Sequence, residues 1–138
     1  ASDVYKRQTV HSYNKDITEA IKQFMTAVRI AKEVNMKTEV VNEYNYALLM
    51  ALKKDRLTYE PILNEAFEYG YSFSDEDLKI INLSFIASTY LDKTYSLDSS
   101  KRDEISKRMS DLYGEDWQLS TKELAAKLDA EYSLRNQK

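Results

Sequence analysis

Chemistry in a folded chain needs a nucleophile, a titrating acid or base, or a set of ligands, and the residue types present limit all three. No cysteine occurs, so thiolate nucleophiles, thiolate metal sites and disulfides are excluded. His11 is the single histidine; with no second imidazole to join it, it reads as an exposed residue near the start, not as a metal ligand or the base of a Ser-His-Asp arrangement. Asp75, Glu76 and Asp77 suggest calcium at first sight, but the segment lacks the alternating ligands, central glycine and closing glutamate of an EF-hand loop. Directly after Ser74, they read instead as acids at the positive end of a helix. Glu115 and Asp116, after Gly114, read as a solvated turn. The two glycines, Gly70 and Gly114, are too far apart to form a glycine-rich phosphate loop. The expectation is a chain without catalytic residues, metal or cofactor, and a non-enzymatic function.

A different pattern points to recognition. Residues 57–78 hold Glu60, Glu65, Glu68, Asp75, Glu76 and Asp77 with no lysine or arginine, interleaved with Tyr59, Phe67, Tyr69, Tyr71 and Phe73. Such a segment has two readings: solvated acids above core aromatics, or an acidic and aromatic surface for a basic partner, in which rings supply buried area and charges steer encounter. Eleven tyrosines suit an interface, because the ring adds apolar area with few rotors to freeze, and they suit the wet edge of a small core equally well.

The elements that must position these residues are helices. With 138 residues, 43% apolar and 31% charged, one domain with a single core is the natural size. Two glycines and one proline leave little material for the turns of an all-β fold, and no segment alternates in period two. Residues 16–35 carry Ile17, Ala20, Ile21, Phe24, Ala27, Val28, Ala31 and Val34 at spacings of three and four, one face of an amphipathic helix. A second helix runs from Thr38 to about Arg56 with an apolar surface broad enough for two neighbours. Thr58 caps a third, with Pro61 in its first turn and Gly70 as a left-handed stop. Ser74 opens a fourth that continues to Leu91, again buried on two sides. A fifth starts at Ser99 or Ser100, ends near Tyr113 before Gly114, and shows only the narrow stripe Ile105, Met109 and Leu112, which places it outside. Ser120 and Glu123 form a capping box for a sixth, in which Leu124, Ala125, Leu128 and Tyr132 face inward. The expectation is an all-α fold of about six antiparallel helices.

The first eight residues resemble an in-frame translation of a sequencing adaptor, which implies a non-native tail over 1–8, a natural start at or upstream of Thr9, an environmental origin, and a single domain over 9–138. Setting aside Asp3, Lys6 and Arg7 takes the formal charge from −3 to −4. That disfavours direct nucleic-acid binding, whose non-specific affinity comes from phosphate neutralisation. The longest uncharged stretches fall far short of the roughly 20 apolar residues that span a bilayer, so no membrane span is expected, and a cysteine-free chain fits a reducing, cytoplasmic setting.

Residues 19–27, Glu-Ala-Ile-Lys-Gln-Phe-Met-Thr-Ala, resemble the second helix of a tetratricopeptide repeat. Residues 45–52, Asn-Tyr-Ala-Leu-Leu-Met-Ala-Leu, resemble a first helix, with Ala47 at the small position where paired helices touch and Ala87 repeating it before Tyr90. The resemblance covers roughly residues 16–98. It implies helical hairpins that bind a peptide or partner protein along the first helices, presenting Asn42, Asn45, Tyr46, Leu49 and Lys53 on one exposed face, continued by Asn82, Thr89 and Lys93. Any antiparallel bundle also needs small residues at close crossings, so stacked hairpins and a closed bundle both stay open. The resulting functional expectation is a protein-interaction module. The alternative is a small acidic phage or mobile-element protein, an inhibitor or structural component, that occupies a nucleic-acid site on a larger enzyme.

A tail that makes no core contacts contributes nothing to folding. Deleting residues 1–8 is therefore expected to leave the melting temperature unchanged, and a loss of several degrees would show the segment to be packed.

Overall fold

A computed structural model describes residues 13–136, which form seven helices and no strand among the described residues. They are α1 (Tyr13–Glu33), α2 (Lys37–Leu52), α3 (Arg56–Tyr71), α4 (Asp75–Ile80), α5 (Ser84–Lys93), α6 (Ser99–Tyr113) and α7 (Trp117–Asn136). The all-α expectation holds, with one helix more than the periodicity suggests. None of them is long and apolar enough to cross a membrane. The contacts are those of a compact bundle: α2 packs against α1, α3, α5 and α7, while α5 packs against α3, α6 and α7 as well.

Helix α1 ends where Asn35 takes the left-handed conformation, φ 57°, and the Met36 amide donates to the Ala31 carbonyl at 2.9 Å. That is the glycine-type stop, here made by the residue after glycine that best tolerates positive φ. Helix α2 then runs through the centre. Val40, Val41 and every residue from position 44 to 51 are buried, and Val40, Tyr44, Ala47, Leu48 and Ala51 have no exposure at all.

Helix α3 begins earlier than Thr58. Asp55 is the cap, its Oδ1 accepting the Thr58 amide at 2.9 Å and the Thr58 hydroxyl at 2.6 Å, and hydrogen bonding to Thr58 holds its carboxyl below the usual range. Pro61 therefore falls in the second turn, and the carbonyl it leaves unpaired belongs to Leu57, which is 89% exposed and open to water. Gly70 is no left-handed stop. It lies inside α3, buried, where a Cβ would sit 2.3 Å from Leu83 Cδ1; its role is to let α3 approach Leu83.

The expected fourth helix is two. A straight helix would put Ile80, Leu83 and Ala87 on one line, and no single neighbour can bury that line together with Leu78, Ile81 and Phe85. The chain breaks at residues 81–83, with Ile81 extended (φ −100°, ψ 115°). The break turns Leu83 and Ala87 fully into the core and leaves Ile80 81% exposed. The sixth expected helix also shifts: α7 starts at Trp117, Ser120 is already helical, and the capping box does not form. Tyr132 lies outside the described side chains.

Helix α6 buries Ile105 and Met109 completely, and its polar side chains hold three chain ends. Arg102 donates to the carbonyls of Leu91 at 2.8 Å and Thr94 at 2.5 Å, at the end of α5. Arg108 donates to those of Tyr71 at 2.7 Å and Phe73 at 2.6 Å, at the end of α3, and to Asp75 at 2.9 Å. The Tyr113 hydroxyl sits in the α4–α5 break, accepting the Leu83 amide at 3.1 Å with the Leu78 and Ile81 carbonyls at 2.6 and 2.8 Å to share its proton. These are the carbonyls and amides that helix ends leave without partners.

Removing the Tyr113 hydroxyl leaves buried backbone groups unpaired, which costs about 1–3 kcal/mol. Tyr113→Phe is expected to lower unfolding free energy by that amount in urea melts, with the helical circular dichroism signal of the folded state retained. An unchanged midpoint would mean that the break does not depend on this bond.

Candidate interaction surface

Four of the six acids in the interval have partners, one on the same helix and three brought by other helices. Glu60 pairs with Arg56 at 2.6 Å, Asp75 with Arg108 at 2.9 Å and Asp77 with Lys37 at 3.3 Å. Glu65 accepts the Tyr44 hydroxyl at 2.6 Å, and that hydroxyl accepts the Lys32 ammonium, also at 2.6 Å. Only Glu68 and Glu76 of the six acids have no such partner among the described residues. The rings are likewise engaged: Lys32 lies 4.8 Å from the Tyr69 ring centre and 5.1 Å from that of Tyr44, Lys37 5.3 Å from Phe73 and Lys93 6.0 Å from Tyr59. Phe67 stacks between Tyr71 and Tyr90, closing the seam of α3 with α5. Solvated acids over core aromatics describe this segment.

Lys32, Tyr44 and Glu65 link α1, α2 and α3 through one hydroxyl. Burial, then the hydrogen bond to Glu65, pushes the Tyr44 hydroxyl far above its ordinary value; burial raises Tyr113 as well. Its contacts are those of a structural lock.

The residues expected on one binding face do lie together, but not in the open. Asn42, Tyr46, Leu49 and Lys53 recur at spacings of four, three and four, a single stripe of α2. Asn42 and Lys53 are exposed, whereas Asn45 (4%), Tyr46 (5%), Leu49 (9%) and, on α5, Thr89 (9%) are buried. Helix α7 lies against the stripe: the Tyr46 hydroxyl donates to Glu131 and the Lys53 ammonium to Asp129, both at 2.5 Å. Tyr46 also stacks on Phe24 of α1, 5.2 Å between centres. Thr89 turns inward to the Phe85 carbonyl, Asn82 caps the Ser84 amide at 2.8 Å, and half-buried Lys93 lies by Asp92 and Tyr59. The expectation of one exposed face is thus corrected at Asn45, Tyr46, Leu49 and Thr89, which are buried, while Asn42, Lys53 and Asn82 are exposed. His11 lies outside the described residues, and no group of three or more metal-ligating side chains occurs among the described ones.

A hollow of about 340 Å³ open to solvent lies between the start of α2 and the end of α4, lined by Asn35, Met36, Lys37, Thr38, Glu39, Asp77, Ile80 and Ile81. Ile80 is 81% exposed and Met36 46%. Ile30, 58% exposed, lies on the last turn of α1, and Val34, 59% exposed, follows that helix directly in the chain. Sequence reasoning placed Ile80 and Val34 in the core and left Met36 unremarked. The one available signal was the absence of a polar cap at position 36, where α2 begins without a side-chain hydrogen bond. The second hollow, at Arg56, Leu57, Glu60 and Pro61, is formed within α3 alone.

A hydroxyl whose pKa is raised by folding adds stability that is complete below its unfolded value and is lost as pH climbs towards the folded one. Stability to urea is therefore expected to fall once pH rises past about 10, the ordinary tyrosine value, and Tyr44→Phe to make that fall shallower. Coincident alkaline slopes for parent and variant would place the Tyr44 hydroxyl in water instead.

Set against known proteins, the chain matches no family model, no curated protein and no solved structure.

Proposed function

We propose that this chain is a non-enzymatic protein-interaction module that docks a partner on the hollow between the α1–α2 turn and α4. One observation carries the reading: Ile80, at 81% exposure, shares a concave surface with Met36, although a helix break elsewhere in the same segment buries Leu83 completely. Exposed apolar side chains rimmed by polar groups are characteristic of docking surfaces. The rim here is Lys37, Thr38, Glu39 and Asp77, with Lys37 and Asp77 paired to each other at 3.3 Å, so it suits a partner that brings an apolar anchor. The cysteine-free sequence is in keeping with a reducing, cytoplasmic setting. An acidic inhibitor of a nucleic-acid enzyme draws less support, since Glu60, Asp75 and Asp77 are spent in ion pairs and Glu65 in its bond to Tyr44.

The test is affinity capture from a lysate with quantitative mass spectrometry, comparing the parent with Ile80→Asp and with Leu57→Asp. Leu57 is as exposed as Ile80 but lies on α3, away from the hollow. Central apolar anchors contribute at least about 2 kcal/mol each, so Ile80→Asp is expected to release a specific partner that Leu57→Asp retains, with both variants melting like the parent. Equal retention by all three, or equal loss in both variants, removes the hollow from consideration.

A further inference from the structure

Resting on the reading of the hollow as a docking site, we propose that its occupant is a second copy of this chain. The two form a two-fold pair in which Ile80 of each copy enters the hollow of the other.

The hollow and the side chain that fills it lie next to each other. With about 100° of turn per residue, Ile80 sits roughly opposite Leu78 on α4. Leu78 is fully buried, so Ile80 stands out from the bundle at 81% exposure while also lining the hollow. Met36, 46% exposed, lines the same hollow from the start of α2. A protruding apolar side chain beside a concave apolar site is what a two-fold contact needs, because the same patch must then serve as both knob and socket. Each copy covers the Ile80 and Met36 of the other.

Charge favours a copy of the chain over other partners. On the rim, Lys37 and Asp77 satisfy each other at 3.3 Å. Glu39 is exposed and has no partner among the described residues, so it is the open charge of the rim. Lys79, the chain neighbour of Ile80, is likewise exposed and without such a partner. It travels with Ile80 to the other copy's hollow, where Glu39 stands. The patch therefore holds an open acid on α2 and an open base on α4. A partner of a single sign sets one of them against a like charge, whereas a second copy meets both, and by symmetry does so twice. Glu76, one turn before Ile80, is a further exposed acid without a partner among the described residues. Each patch thus keeps an excess acid, and the pair is a weak one that forms at high concentration.

Sedimentation equilibrium of the full chain from about 10 μM to about 1 mM tests this. The parent is expected to show a monomer–dimer equilibrium. Ile80→Asp is expected to weaken dimerisation at least about tenfold and Leu57→Asp to leave it unchanged, with both variants melting like the parent. Glu39→Lys and Lys79→Glu are each expected to weaken the pair about threefold or more, since the contact is made twice. The double variant, with the two charges exchanged, is expected to return to within about twofold of the parent. This exchange reads the contact without relying on the Ile80 variant. A parent that is monomeric throughout the range overturns the proposal. So does a dimer that Ile80→Asp leaves intact or that Leu57→Asp weakens equally, and so does a double variant no tighter than its singles. A monomeric parent whose lysate partner is still released by Ile80→Asp removes the second copy while keeping the hollow as a docking site.

Discussion

The constraint on which the bundle depends is the burial of α2 on every side. An amphipathic surface helix hides about a third to a half of its circumference. Here ten of sixteen residues are buried, eight of them consecutive, so one neighbouring helix cannot suffice. α1, α3, α5 and α7 must all be present for α2 to be stable, and none of them is a free-standing hairpin partner. The alanines at 47 and 51 on α2 and at 87 on α5, each with no exposure, allow neighbours to come close enough for this enclosure. Enclosure is also what raises the importance of the polar groups on α2. Tyr44 is reached by Lys32 and Glu65, Tyr46 by Glu131, while Asn45 is left with an unpaired oxygen.

A bundle with six short connections generates many helix ends, and the distribution of its polar side chains follows from that. α6 contributes few apolar residues to the core, yet Arg102, Arg108 and Tyr113 satisfy backbone groups at the ends of α5, α3 and the α4–α5 break. Arginine suits the first two positions because one planar guanidinium reaches two carbonyls at once. The same principle explains the acids of residues 57–78. Glu60 takes Arg56 from its own helix, whereas Asp77 and Asp75 receive Lys37 of α2 and Arg108 of α6 across the fold.

The proposed docking site lies where this accounting is incomplete. The hollow at Met36 and Ile80 is one place where apolar area stays in water, a by-product of the break that sends Leu83 inward.

The residues alone determined the class of the fold and most of its elements. Spacings of three and four in residues 16–35, the cap at Ser74 and the scarcity of glycine and proline are local properties, and local hydrogen bonding and periodicity follow from them. Gly114, at φ 97°, ends α6 as its position in the sequence suggests. The stripe of Asn42, Tyr46, Leu49 and Lys53 was legible too, because four-three-four spacing places residues on one face whatever covers it. What lies against it was not legible: α7 reaches Tyr46 across 85 residues of chain, and no spacing near residue 46 encodes that. The division of the fourth helix, the interior place of Gly70 and the exposure of Ile80 share one cause. Both apolar lines of residues 78–91 satisfy helical periodicity, and only the limited room around α2 and α6, with Tyr113 ready to pair the freed backbone, decides that the helix must break and which side chains it leaves in water.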